Sequence, residues 1–169
     1  MEMDVNDRRG GAGFPVDQPL QALRMDHQLV RKLFDSYLNS QDIEVRKEAG
    51  RQILMNLELH DALEQTVFYP RVHDADASLV DACEDDHQQV REMIDQIKTM
   101  DENDPQCEQM YRQLSEAVMK HVETEEQDLF PKVEQANMDM SALGLEMQAF
   151  EANMVSGQAN AMGQKDART

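Results

Sequence analysis

The chain has 169 residues and a formal net charge of −18, with seven Gly, five Pro and no Trp. That length suits one domain with a full core, and the excess of Ala, Leu, Met, Gln, Glu and Asp predicts an all-α fold. The charge excludes nucleic-acid phosphates and anionic membranes as partners and favours cations. No apolar run approaches the roughly 20 residues that span a bilayer. The first residues lack the charged-then-apolar order of a signal peptide, so the cytoplasm is the expected location. Cys83 and Cys107 are too few and too far apart for a disulfide framework or a Cys-x-x-Cys zinc site, which fits a reducing compartment.

Residues 1–16, with Gly10, Gly11, Gly13 and Pro15, read as a flexible arm. From Leu20 the apolar residues follow a helical period through Leu23, Val30, Phe34 and Leu38, and His27 fills the one polar slot in that seam. After a break at Asn39 to Asp42, a second helix carries Ile53 and Leu57, then His60 and Glu64 in seam positions, then Val67. Pro70 is expected to disrupt it. His73 to Ala77 is a connection. A third helix places Val80, Cys83, His87, Val90, Ile94 and Ile97 on one stripe. Asp104-Pro105 predicts the start of a fourth, with Asp as N-cap and Pro at the first helical position. That helix aligns Cys107, Met110, Leu114 and Ala117 with His121 and Glu125.

The two halves repeat. MDHQLVRKLFDSYL from Met25 aligns with DDHQQVREMIDQIK from Asp85, and HDALEQTVFYP from His60 aligns with HVETEEQDLFP from His121. The offset is 60 residues at the single histidines and 61 at the His-Glu pairs. Residues four apart share a helix face, so each His-Glu pair can address a common atom. The midpoints between successive polar groups fall in or beside the predicted connections. An up-down-up-down bundle of two duplicated hairpins, spanning residues 17–136, therefore brings His27, His60, Glu64, His87, His121 and Glu125 to one level of its core. A stripe of Met140, Leu143, Met147, Phe150 and Met154 predicts a further amphipathic helix over 137–155, docked on the bundle or pairing two subunits as a homodimer. A methionine site for Cu(I) is the lesser alternative there. Residues 156–169 read as a disordered tail.

Burying two carboxylates and four imidazoles uncompensated costs several kcal/mol per ionised group, and the seam offers no Lys at that level. A metal supplies the missing charge. The donor set exceeds one tetrahedral zinc and suits two ions bridged by carboxylates, with iron favoured over manganese or zinc.

The single His27, the His60/Glu64 pair, the single His87 and the His121/Glu125 pair, with the FYP and LFP endings, resemble the hemerythrin-like (HHE cation-binding) family across about residues 20–135. The resemblance implies a four-helix bundle holding two iron ions in a non-haem, oxo- or hydroxo-bridged centre that reacts with dioxygen, nitric oxide or peroxide. It makes His27, His60, His87 and His121 terminal ligands and Glu64 and Glu125 the bridges. Two positions depart from the oxygen carriers. Arg91 stands where those have a further histidine, as Arg31 follows His27, which counts against reversible oxygen transport. Their last carboxylate lies five residues after its histidine, which here selects Glu126, whereas the internal repeat selects Glu125.

The remaining candidates have plainer readings. Arg31 and Arg91 are expected to reach solvent or pair with acidic neighbours, with the orientation of ligand carboxylates or peroxide as the alternative. His73 is expected in solvent, Cys83 as a core thiol or a redox-active neighbour of the site, and Cys107 at the opposite end of the bundle, ~27 Å from Cys83 along the helices. Three functions compete: a sensor or binder in the oxidative-stress response, a catalase-like enzyme disproportionating hydrogen peroxide, and iron storage or delivery. A metal-free interaction module does not account for six buried polar groups.

Overall fold

The computed structural model describes residues 13–166, with side chains through residue 157; residues 1–12 of the expected flexible arm lie outside it. Four long helical rods form the bundle. The first is α1 (Pro19–Asn39). The second joins α2 (Ile43–Leu63), a π-helical turn (Glu64–Phe68) and α3 (Tyr69–Val72). A short 3₁₀ turn, His73–Ala75, leads to the third, α4 (Ala77–Lys98). The fourth joins α5 (Pro105–Thr124), a second π-helical turn (Glu125–Leu129) and α6 (Phe130–Gln135). A fifth helix, α7 (Met140–Asp166), follows. Among the described residues there is no strand, and no helix is long and apolar enough to cross a membrane.

The starts of the rods are written in local chemistry. The carboxylates of Asp42, Asp76 and Asp104 accept from the backbone N–H groups of Glu44, Leu79 and Gln106, satisfying donors that have no partner within the helix. Pro105 occupies the first turn of α5, where its missing N–H costs nothing.

The expected disruption at Pro70 does not occur. Both long His-Glu helices pass through their prolines, because each first widens into a π-helical turn. The N–H of Tyr69 reaches back five residues to the carbonyl of Glu64, and that of Phe130 to the carbonyl of Glu125. Pro70 and Pro131 follow directly, where the ladder is already changing step, and open the α-helical segments that continue each rod.

The buried rows also differ slightly from the predicted seams. In α5 the row runs Cys107, Tyr111, Leu114, Val118, His121, and Met110 and Ala117 are only half-buried. In α1 Tyr37, rather than Leu38, is buried. Steps that alternate four and three track a straight seam, and these two aromatics continue it.

The apolar core is split in two. One cluster, including Leu23, Phe68, Tyr69, Cys83, Phe130 and Met147, fills the end where the rods turn π-helical. The other, including Phe34, Ile53, Ile94, Cys107, Tyr111 and Leu114, fills the opposite end. The six polar candidates sit between them. Cys83 and Cys107 thus belong to different clusters, and both thiols are free.

Leu143 and Met147 of α7 are buried in the first cluster, and Phe150 packs against it, so the stripe on α7 is covered by the chain's own bundle. The helix runs on to Asp166, through residues 156–166 of the expected disordered tail, and residues 167–169 of that tail lie outside the described residues. The segment before α1 crosses α7 at Gly144, where a Cβ would stand 1.9 Å from the carbonyl oxygen of Val16. Gly144→Ala should therefore force the two backbones apart and cost about 1–3 kcal/mol by overpacking, read as a lower denaturation midpoint with the helix content retained. An unchanged midpoint would show that the crossing does not constrain the fold.

Candidate metal centre

The four histidines project inward from four different rods, and each half of the duplication contributes one close pair. Nε2 of His27 lies 3.2 Å from Nε2 of His60, and Nε2 of His87 lies 3.0 Å from Nε2 of His121. Between the pairs stand Glu64 and Glu125, both 0% exposed. Oε1 of Glu64 is 2.5 Å from His60 Nε2 and 3.3 Å from His87 Nε2. Glu125 reaches across in the other direction, its Oε1 3.4 Å from His27 Nε2 and its Oε2 3.0 Å from His121 Nε2. The six residues expected to meet at one level are all brought together.

The outward nitrogens explain why those inward contacts are not ordinary hydrogen bonds. Nδ1 of His27 lies 3.0 Å from Glu126, that of His60 3.1 Å from Asp26, that of His87 2.8 Å from Asp61, and that of His121 3.2 Å from Asp86. A carboxylate only accepts, so each Nδ1 carries a proton, and a ring in its neutral form turns its Nε2 lone pair inward. Glu64 Oε1, Glu64 Oε2 and Glu125 Oε1 then lack a hydrogen-bonding donor despite the nearby nitrogens. Lone pairs face lone pairs, and only a positive charge placed among them relieves the arrangement.

Protons can supply part of that charge in the absence of a cation. Burial opposes charging His60, but Glu64 and Asp26 outweigh it and hold its pKa well above the usual value. Burial likewise opposes charging His87, and Asp61 and Glu64 raise it to about 9. His27 is raised against its own burial by Glu125 and Glu126. Burial works against the charge on Glu125, yet His121 and His27 keep it well below the carboxylate range. The pocket is thus built to hold positive charge.

Two overlapping donor groups result: His27, His60, Glu64 and Glu125 form one, and Glu64, His87, His121 and Glu125 the other. In each, the candidate ligand atoms lie within 4.8 Å of one another. The groups share both carboxylates. Glu125, not Glu126, points inward; Glu126 grips the far side of the His27 ring, which holds its own carboxyl below the usual range.

With the site in view, the comparisons with known proteins are direct. The sequence model of the hemerythrin HHE cation binding domain matches residues 18–137. The chain belongs to the hemerythrin HHE cation-binding family. Its fold is that of the hemerythrin HHE cation binding domain-containing protein, the Rv2633c homolog, from Mycobacterium kansasii, with a TM-score of 0.72 at 19% identity over 86% of this chain and 91% of that one. A protein of a Nostoc species named as a DNA nickase is 32% identical over 115 residues, covering 66% of this chain. The chain spans about a third of that relative's length, 32%. As a hemerythrin HHE domain with two His/Glu groups, the protein has a centre that could hold metal ions.

Several residues of this hemerythrin HHE site were not singled out from the sequence. Tyr69 donates from its hydroxyl to Oε2 of Glu125 at 2.6 Å, and the hydroxyl oxygen lies 3.0 Å from His87 Nε2 and 3.4 Å from His121 Nε2. Its single proton is spent on Glu125, so toward both nitrogens it too presents a lone pair. The repeat puts Phe130 at the equivalent position, stacked at 6.2 Å on His27. The FYP/LFP mismatch was the available signal. Asp26, Asp61 and Asp86 gave a weaker one, each being a sequence neighbour of a seam histidine.

The secondary candidates are placed as well. Arg91 donates to Asp61 at 2.7 Å and to Gln65, so it pairs with an acidic neighbour and thereby steadies the carboxylate that holds His87. His73 is half-buried and pairs with Asp81 at 3.0 Å, away from the centre. Burial pushes the Cys83 thiol far up, which favours a core thiol over a reactive one. Carboxylates that orient ligand histidines typically contribute 10- to 100-fold to metal affinity. Asp61→Ala should weaken metal binding by about that factor in competition with a chelator, at unchanged helix content. Undiminished affinity would mean that the orientation of His87 is set by packing alone.

Proposed function

We propose that the protein is a non-haem di-iron protein that reacts with dioxygen, nitric oxide or peroxide in binding, sensing or the response to oxidative stress. The observation that carries this reading is the pair of fully buried carboxylates, Glu64 and Glu125, shared by two donor groups and short of donors of their own. His27 and His60 would hold one ion and His87 and His121 the other, with Glu64 and Glu125 bridging. Mixed imidazole and carboxylate donors suit iron, with manganese and zinc as competitors. When bound, the two irons supply a two-electron redox pair with positions open to a small oxygen or nitrogen ligand.

The chain's own residues do the rest. Asp26, Asp61, Asp86 and Glu126 fix each imidazole with its Nε2 toward the position an ion would take, and an entering ion displaces the protons that the raised rings hold there. Tyr69 fixes the rotation of the Glu125 carboxylate and keeps a proton within the centre, 2.6 Å from Oε2. The first apolar cluster closes the centre off from water at the end where the rods turn π-helical. Catalase-like disproportionation of hydrogen peroxide would use the same centre. The nicking activity in the name of the Nostoc relative is not part of this reading, because a net charge of −18 repels DNA phosphates.

Purified protein reconstituted anaerobically with ferrous iron should retain about two irons per chain, one for each donor group. It should then develop an oxygen-to-iron charge-transfer band in air, lost in His121→Ala. A stable, reversible change with oxygen or nitric oxide supports binding, and oxygen evolution from peroxide supports the enzyme. A chain that retains no iron overturns both.

A further inference from the structure

Beside the histidines, on the side of the second apolar cluster, the bundle leaves a cavity of about 270 Å³ that opens to the surface. Its walls are Val30, Leu57, Ile94, Val118 and Val122, drawn from all four rods, and its inner end is formed by His27, His60, His87 and His121. The mouth is flanked by residues of α2 and α4: Lys98, bound to Glu58, and Arg91, bound to Asp61 at 2.7 Å, with Asp95 beside them.

The size is out of proportion to a diatomic ligand. At about 30 Å³ per water it would accommodate roughly nine water molecules, and an apolar cavity of about 150 Å³ is enough to take benzene. Space of this kind left in a bundle weakens packing, and here it adjoins the buried His/Glu centre. A mostly apolar enclosure with a few convergent polar groups is the general form of a site for small organic molecules.

The charge of the lining selects among such molecules. Four carboxylates line the cavity, Asp26, Glu58, Asp61 and Asp95, and the last three, beside a Lys98 and an Arg91 that are already paired, leave the mouth negative in a chain of net charge −18. An organic anion is therefore repelled at entry. The apolar wall gives no partners to a hydrated cation. We propose that this cavity binds an uncharged organic molecule with an apolar body and a single hydroxyl-type head, the body against Val30, Leu57, Ile94, Val118 and Val122 and the head toward the histidines. The inference concerns the cavity and not the ions, so it stands whether or not iron occupies the neighbouring centre.

The probes are n-heptanol and heptanoate, equal in chain length and different in charge. Isothermal titration of the full-length chain, as purified and after chelation, should show saturable one-site binding of heptanol in both forms and at least tenfold weaker binding of heptanoate at pH 7. Val90→Phe, at a half-buried position on the lining, should weaken heptanol binding at least tenfold while melting as a folded helical protein. Val118→Phe, from the opposite wall, serves if that variant does not fold. Absence of saturable binding overturns the proposal, as does undiminished binding in the folded, filled variants. Heptanoate binding as tightly as heptanol overturns it too. Retention of iron with no heptanol binding would sink this inference alone and leave the di-iron reading intact.

Discussion

Four imidazole nitrogens and two carboxylates face one another at 2.5–3.4 Å in the middle of the bundle, and the buried polar residues described include no Lys or Arg. Much of the rest of the structure supports that constraint. An ionised carboxylate in a bundle core is costly unless charge and hydrogen bonds meet it. Here the outer ring of Asp26, Asp61, Asp86 and Glu126 takes up the Nδ1 protons and leaves the inner face as acceptors. The result is a core that is unsatisfied by itself and becomes satisfied by cations. In the proposed reading that deficit is the function.

The backbone carries the same logic. Glu64 and Glu125 each open a π-helical turn, and the residue five positions on, Tyr69 or Phe130, closes it. Residues five apart diverge on an α-helix, and the wider turn brings them back toward one face. That is why Tyr69 can donate to Glu125 across the bundle while Phe130 stacks on His27. The duplication therefore builds a site that is symmetric in its ligands and asymmetric in its surroundings. One half has a phenol and an Asp61–Arg91 pair, and the other has a phenyl ring and Glu126. The two donor groups are not equivalent, and the half bearing Tyr69 carries an extra oxygen atom.

Much of this was legible in the sequence because duplication is a strong internal check. The 60- and 61-residue offsets fixed which histidines correspond, and a helical period with connections near the midpoints placed them at one level. The same repeat selected Glu125 over Glu126, and the inward direction of Glu125 agrees with it. The π-helical turns were not legible. Pro70 and Pro131 carry a strong local signal to stop a helix, and a single wide turn upstream is decided by tertiary packing rather than by propensity. Missing the turn meant missing Tyr69, because on a regular helix that residue would not face the centre. The cavity was also hidden, since an unfilled volume depends on how four apolar rows meet.

In the proposed reading two ions share Glu64 and Glu125, each beside one histidine pair. Anomalous diffraction from crystals of the iron-loaded protein, recorded on both sides of the iron absorption edge, measures this directly. Two iron peaks are expected, one against His27 and His60 and the other against His87 and His121, both in contact with Glu64 and Glu125. A single peak, or a pair in which Glu126 takes the place of Glu125, would contradict it.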